Sequence, residues 1–270
     1  KVIDLYSKGF CISDLVFLVG PRINAAGRIE SGKNSVKLLI CETIEDAEAL
    51  GIQINDFNTT RRDLDGQTTE MAMDQIKTEA RLRNSRTTVV YHPEWHKGVV
   101  GIVASRLIET YYRPTIVLTK SNGLISGSAR SIKDFDIYNA IDECSDLLEH
   151  FGGHTYAAGL AMKEENLNAF IERFEDIANR ELTDEMMIPE VEIDLEINLN
   201  DINPKFYRIL RQFAPFGPGN MAPIFRTNNV IDSGSGRIVG KNHLKLTVYH
   251  EQGAVRVGFI NGNLVVNPSI

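Results

Sequence analysis

The stretch from Gly127 to Gly159 constrains this chain more than any other. It reads GSARSIKDFDIYNAIDECSDLLEHFGGHTYAAG. Two polar, glycine-punctuated segments sit at its ends, Gly127-Ser128-Ala129-Arg130-Ser131 and Gly152-Gly153-His154, and both read as turns. Between them Ile137, Ala140, Ile141, Cys144 and Leu148 recur at helical spacing and form one apolar stripe. The spacing predicts a helix that brings both turns to one cleft. One turn offers a hydroxyl and a guanidinium, the other backbone N–H groups and an imidazole. Paired glycines can adopt conformations in which successive N–H groups converge on an anion. Arg130 can hold a phosphate through a bidentate fork. The bland alternatives are an ordinary Gly-Gly turn, a solvated arginine and a hydrogen-bonded core histidine at His154. Spacing alone leaves both readings open.

Length and charge narrow the setting. A chain of 270 residues, 43% hydrophobic and 24% charged, is globular and has room for one large domain or two modest ones. Its net charge of −7 excludes a generally basic nucleic-acid binder, so any such binding needs a local patch. Cys11, Cys41 and Cys144 share no C-x-x-C spacing and sit among apolar residues, which argues against a disulfide framework or a zinc site. No apolar run approaches the roughly 18 residues of a membrane span. No secretory signal is read at the start, and a cytoplasmic location is the expectation.

In chain order, residues 1–42 open on a helical pattern around Val2, Ile3, Leu5 and Tyr6. An apolar run, Leu15–Val19, then leads into Gly20-Pro21-Arg22-Ile23-Asn24-Ala25-Ala26-Gly27-Arg28, which reads as a rigid loop. Residues 43–83 read as one long helix or two abutting ones. Thr43 is the N-cap, the apolar stripe is sparse, bends are expected at Gly51 and Gly66, and Arg61-Arg62-Asp63 lie on a solvated face. Residues 86–183 read as a compact α/β unit. Strands are expected at Thr87–Tyr91, Thr115–Thr119, Leu124–Ser131 and Ala157–Met162, with helices at Val99–Tyr112 and Asn166–Glu181 and a hairpin turn at Asn122-Gly123. His92 and His96 have the spacing of a helical metal pair, but Pro93 opposes a helix there, so they are read as loop residues. Beyond residue 184 the pattern changes to short strands separated by turns: Val191–Ile197, Ile224–Arg226, Asn229–Ile231, Gly236–Val239, Leu244–Tyr249 and Ala254–Phe259. This pattern suits an oligonucleotide-binding (OB) barrel lacking its last strands.

The strings G-S-A-R-S-I and F-G-G-H-x-x-A-A-G resemble the DHHA1 domain, the second domain of the DHH phosphoesterase superfamily. G-P-R-I-N-A-A-G-R, W-H-x-G-V-x-G-I-V-A-S-R-L and P-F-G-x-G-N with its following P-x-F are similar to the single-strand-specific exonucleases of that superfamily. The resemblance covers nearly the whole chain but aligns with the C-terminal half of those enzymes. It implies a fold of four parts. These are the end of a DHH domain over residues 1–42, a connector helix over 43–85, a mixed-sheet DHHA1 domain over 86–183, and a truncated OB-like domain over 184–270. It implies that Arg22, Asn24, Arg28, Ser128, Arg130, Gly152, Gly153 and His154 contact substrate, and that Trp95 is structural or stacks on a base. Such enzymes degrade single-stranded DNA from the 5′ end with Mn2+ or Mg2+ held by aspartates and histidines. No Asp-His-His motif occurs here, so no catalytic residue and no metal ligand is assigned to this chain. It is read as a fragment whose partners are single-stranded DNA and a single-strand-binding protein, with no membrane. Two alternatives stay open. One is a non-catalytic binding module of the superfamily. The other is a small phosphoesterase acting on short oligonucleotides or cyclic dinucleotides, against which the OB-like segment argues.

Overall fold

A computed structural model describes residues 11–239 and 243–250. The helix expected around Val2–Tyr6, the turns that the sequence also places at Gly240-Lys241-Asn242 and Glu251-Gln252-Gly253, and the strand Ala254–Phe259 lie outside those residues. The chain divides into two compact units, Lys1–Pro189 and Glu190–Ile270.

The first unit opens with helices. A short turn α1 (Ile12–Asp14) passes through a π-helical segment, Leu15–Val19, into α2 (Gly20–Ile29). The nine residues read as a rigid loop are therefore helical. Pro21 sits in the first turn, where its missing N–H costs nothing and its fixed φ suits a helix, and Ala25 and Ala26 favour the helix and are fully buried. After α3 (Lys33–Ile40), α4 runs without interruption from Ile44 to Thr78, so neither Gly51 nor Gly66 ends it. Its start is fixed by Thr43, whose hydroxyl accepts from the Asp46 N–H at 3.1 Å and donates to the Asp46 carboxylate at 2.7 Å. The short helix α5 (Ala80–Asn84) follows.

A five-stranded sheet forms the body of the unit, with β1 (Thr88–Tyr91), β2 (Thr115–Ser121), β3 (Leu124–Arg130), β4 (His150–His154) and β5 (Ala157–Met162) in the order β1-β2-β3-β5-β4. β1 and β2 are parallel and the remaining pairs antiparallel, so the sheet is mixed. Asn122 and Gly123 both have positive φ (52° and 79°), the conformation a two-residue hairpin between twisted strands requires.

Each face of the sheet buries a different set of helices. On one face Ile116, Leu118, Ile125, Ala129, Ala158, Leu160 and Met162 pack with α7 (Ile137–Asp142) and α8 (Leu167–Glu181), whose Phe170 and Phe174 stack at 5.9 Å. On the other face Val90 and Val117 pack with α6 (Val100–Tyr111) and with Ala72, Ile76 and Leu82 from α4 and α5. Residues 86–183 thus complete their second core with side chains from the segment read as a connector. Strand β2 carries five buried residues in succession, Thr115–Thr119, because both its faces are covered.

The second unit contains β6 (Leu195–Glu196), α9 (Pro204–Leu210) and β7 (Phe225–Arg226), followed by β8 (Ile231–Asp232), β9 (Arg237–Val239), β10 (His243–Lys245) and β11 (Val248–Tyr249). Its described strands pair two by two: β6 with β7 in parallel, β8 with β11 and β9 with β10 antiparallel. The expected strand Val191–Ile197 shrinks to its last two ladder residues, Leu195 and Glu196.

Candidate nucleic-acid interface

The two polar segments that frame the central stretch are strand residues, not turns. Ser128 and Arg130 lie on β3, and Gly152 and His154 lie on β4. The stripe between them is helical only from Ile137 to Asp142, with a 3-10 turn at Ser145–Leu147. What joins the two segments is the intervening strand β5. Its register sets Ser128 opposite Gly159 and Gly159 opposite Gly152, and in the next row Arg130 opposite Ala157 and Ala157 opposite His154. Residues opposite one another, or two apart along a strand, share a face. Ser128, Arg130, Gly152 and His154 therefore lie on one face, the face that carries Val117 and α6. Across two strand spacings, the Arg130 and His154 backbones stand about 10 Å apart.

The floor between them is bare. Gly152 and Gly159 are exposed, and a Cβ at Gly152 would meet nothing within 4 Å. Gly153 is different. A Cβ there would stand 2.2 Å from the Ala157 carbonyl oxygen and 2.5 Å from the Ala158 Cα, so this glycine lets β4 close on β5. Because successive N–H groups of an extended strand point in opposite directions, Gly152 and Gly153 do not form the concavity expected of a turn.

His154 is exposed, which removes the core-histidine alternative. Its Nδ1 accepts from the Tyr156 N–H at 3.3 Å, so in the neutral ring Nε2 carries the hydrogen and can donate.

Arg130 is half-buried. Its Nη1 donates to Ser128 Oγ at 2.8 Å and to the Ala129 carbonyl at 2.7 Å. Gly101, in the first turn of α6, lies flush against this pair: a Cβ on it would stand 3.0 Å from Arg130 Nη2 and 3.1 Å from Ser128 Oγ. Burial, and then the nearby Arg28 guanidinium, hold the Arg130 pKa below its usual value, and among the described residues no carboxylate acts in the opposite sense.

Arg28 arrives from the end of α2. Its Nη1 donates to the Gly98 carbonyl at 3.2 Å, and α2 and the loop before α6 touch so closely that a Cβ on Gly98 would stand 2.2 Å from the Arg28 carbonyl oxygen. Asn24, one helical turn earlier, is exposed on the same side of α2. Arg22 is employed elsewhere: its Nε donates to Asn55 on α4 at 3.0 Å and its Nη1 to the Leu18 carbonyl at 2.8 Å. Of the eight residues expected to contact substrate, Arg28, Ser128, Arg130, Gly152 and His154 thus share one surface region. Asn24 borders it, Gly153 backs it and Arg22 is a helix–helix tie.

Of three further expectations, one alternative drops out, one holds and one changes. Trp95 is only 5% exposed and packs in the second core, so it offers no base-stacking surface. His92 stacks on its ring at 5.7 Å, and the Nδ1 atoms of His92 and His96 accept from the Glu94 and Gly98 N–H groups, as loop-stabilising residues do. Arg61 is not solvated: its side chain is 14% exposed and bonds Asn58 at 2.8 Å, whereas Arg62 and Asp63 are exposed as expected. Among the described residues no three His, Cys, Asp or Glu side chains come together as a metal site would require, so the donor set present does not fit a divalent-metal pair.

Residues 84–180 match the DHHA1 domain and residues 193–263 the RecJ OB domain. The chain is 36% identical over 252 residues to the single-stranded-DNA-specific exonuclease RecJ of Bacillus subtilis, covering 92% of this chain and 32% of that protein. With the Escherichia coli protein of the same name it shares 33% identity over 247 residues, 87% of this chain and 42% of that one. The crystal structure of RecJ in complex with Mg2+ from Thermus thermophilus superposes with a TM-score of 0.78 at 30% identity, covering 95% of this chain and 39% of that chain. The chain therefore spans between about a third and under half of the proteins it matches.

Proposed function

Because this chain belongs to the RecJ family, we propose that it is the substrate-holding portion of a single-stranded-DNA-specific 5′–3′ exonuclease. One observation carries the reading: Arg28, Arg130, Ser128 and the exposed His154 bring polar and cationic groups to one surface region, and among the described residues no carboxylate raises the Arg130 pKa. Two guanidiniums close enough to depress one of them are stabilised by an anion between or above them. A DNA phosphate supplies that anion, and the glycine floor of β5 and β4 lets a backbone lie close.

Hydrolysis of the phosphodiester belongs to the intact enzyme with Mg2+ or Mn2+, which supplies the activated water and offsets charge on the leaving oxygen. The residues described here bind and orient the strand. Arg130 and Arg28 fix a phosphate, Ser128 holds the Arg130 fork, and His154 donates from the far side of the floor. The RecJ OB domain adds a second single-strand-binding element. A cytoplasmic location, a role in DNA repair and recombination, and a single-strand-binding protein as partner belong to the same proposal.

Fluorescence anisotropy of a 3′-labelled oligothymidylate tests it. The chain binds the oligonucleotide without shortening it, Arg130→Ala weakens binding about tenfold or more, and Arg180→Ala leaves it unchanged. Arg180 pairs with Glu143 and Glu181 on an exposed helix surface. Equal affinity of Arg130→Ala and the parent chain would sink the proposal.

A further inference from the structure

Beside the Arg28–Arg130 pair lies a second arginine group that the resemblance does not assign. Asp65, on α4, is fully buried, and its Oδ2 accepts from Arg106 Nη2 at 2.7 Å and from Arg61 Nη1 at 3.5 Å. Its Oδ1 is buried without a partner in the structure. Arg61 also donates to Asn58, and its side chain is nearly buried. The Arg106 side chain is 48% exposed, and among the described residues its only side-chain hydrogen bond is the one to Asp65. A guanidinium has five N–H donors, so Arg106 presents most of its fork outward while one nitrogen is anchored.

The charge balance is uneven. Arg61 feels Asp65 as its one favourable charge and Arg62, Arg106 and Arg28 as unfavourable ones. Arg28 is also the unfavourable neighbour of Arg130. Arg28 therefore links the two groups electrostatically. The Asp65 carboxylate thus serves two guanidiniums, Arg61 and Arg106, and Arg28 lies close enough to act on both Arg61 and Arg130, in a protein whose net charge is −7.

Neutralising one carboxylate takes one guanidinium, so two on Asp65 leave a net positive charge. Here Arg61 already sits in the interior against Asp65, and Arg106 is the one that reaches solvent. Gly101 and Arg106 lie on the same helix, five residues apart, which sets Arg106 about 7.5 Å further along α6 than the turn that touches Arg130.

We infer that Arg106 is a second phosphate-binding residue, anchored by Asp65, which takes a backbone phosphate of the strand held at Arg28 and Arg130. The inference rests on the proposed DNA-holding role of this unit. Asp65 is a positioning residue. It fixes one nitrogen of Arg106 and, being a single charge, leaves the group net cationic.

Counterion release separates this role from a structural one. Each phosphate neutralised on single-stranded DNA contributes about 0.7 to the slope of log binding constant against log salt. The 270-residue chain, Arg106→Gln, Arg106→Lys, Arg130→Ala and Arg180→Ala are titrated with a 3′-labelled oligothymidylate at several salt concentrations, with circular dichroism to verify folding. Gln keeps an N–H donor for Asp65 and removes the charge. Arg106→Gln should bind several-fold more weakly and lose about 0.7 of slope, Arg106→Lys should retain the slope, and Arg180→Ala should retain both. A folded Arg106→Gln whose slope matches the parent chain overturns the inference even when Arg130→Ala is impaired. Loss of binding in neither Arg106→Gln nor Arg130→Ala overturns the DNA-holding role itself.

Discussion

Gly101→Ala should separate stability from DNA binding. Gly101 occupies the first turn of α6, where alanine is favoured over glycine by up to about 1 kcal/mol through helix propensity and reduced chain entropy. The added methyl carbon would stand 3.0 Å from Arg130 Nη2 and 3.1 Å from Ser128 Oγ. Ordinary carbon contacts need about 3.5 Å or more, so the guanidinium and hydroxyl must retreat by roughly half an ångström. Both are side-chain ends, and the 2.8 Å bond between them is what gives way. The stability terms nearly cancel, giving a change within about 1 kcal/mol, or about 2–4 °C in Tm for a unit of this size. Binding does not share the compensation. Hydrogen bonds to a charged group are worth about 1.5–3 kcal/mol, and partial loss of Arg130 alignment should weaken oligothymidylate binding about threefold to tenfold. Thermal melts and anisotropy titrations on one preparation give both quantities. Unchanged affinity in a folded Gly101→Ala chain would show that the Arg130–Ser128 geometry does not matter for binding.

The adjacent glycines of β4 should respond oppositely: Gly153→Ala lowers Tm sharply because its methyl overlaps the β5 backbone, while Gly152→Ala leaves Tm alone and weakens binding by filling the floor. Burial pushes the Cys144 thiol up from 9.0 to about 11. The folded chain then holds that proton while the unfolded chain releases it, so stability falls as pH rises from about 9 to about 11, by about 2–3 kcal/mol, and Cys144→Ala should flatten that fall in urea titrations. The chain has a single tryptophan, and Trp95 is buried, so its emission should stay constant as oligothymidylate is added; quenching would reinstate a stacking role.

Local chemistry made much of this fold legible. Thr43, Asn122-Gly123 and the stripe of α8 specify a helix start, a hairpin and an amphipathic face through residues close in sequence, and all three occur where expected. The misread segments are those where glycine or proline was taken as punctuation. Pro21 tolerates a helical first turn as readily as a loop, and α4 buries Ala25 and Ala26, which decides in favour of the helix. Gly152-Gly153 has poor strand propensity by itself, and its strand exists because Ala157 and Ala158 are small enough to let it close. The site was legible as a list of donors, but its geometry was not. Which residues share a face depends on the register of β3, β5 and β4, a non-local pairing. Arg106 and Asp65 were missed because an i,i+4 arginine–aspartate pair on a polar helix usually marks a solvated surface, and only the packing of α4 on α6 buries Asp65.

The shared second core also bears on how this architecture can be transplanted. A designer who grafted residues 84–180 behind a foreign helix would import Val90, Val103, Leu107 and Val117 without Ala72 and Ile76, which cover them. Each such side chain left wet forfeits about 1.5–3 kcal/mol, comparable in sum with the whole stability of an ordinary domain. The smallest exchangeable cassette therefore starts upstream of Leu64, inside the helix, and takes Asp65 and its arginines with it. In this fold the Asp65 anchor of Arg106 and the residues that cover the second core lie on one helix, so a recombination event that moved one without the other would disturb both.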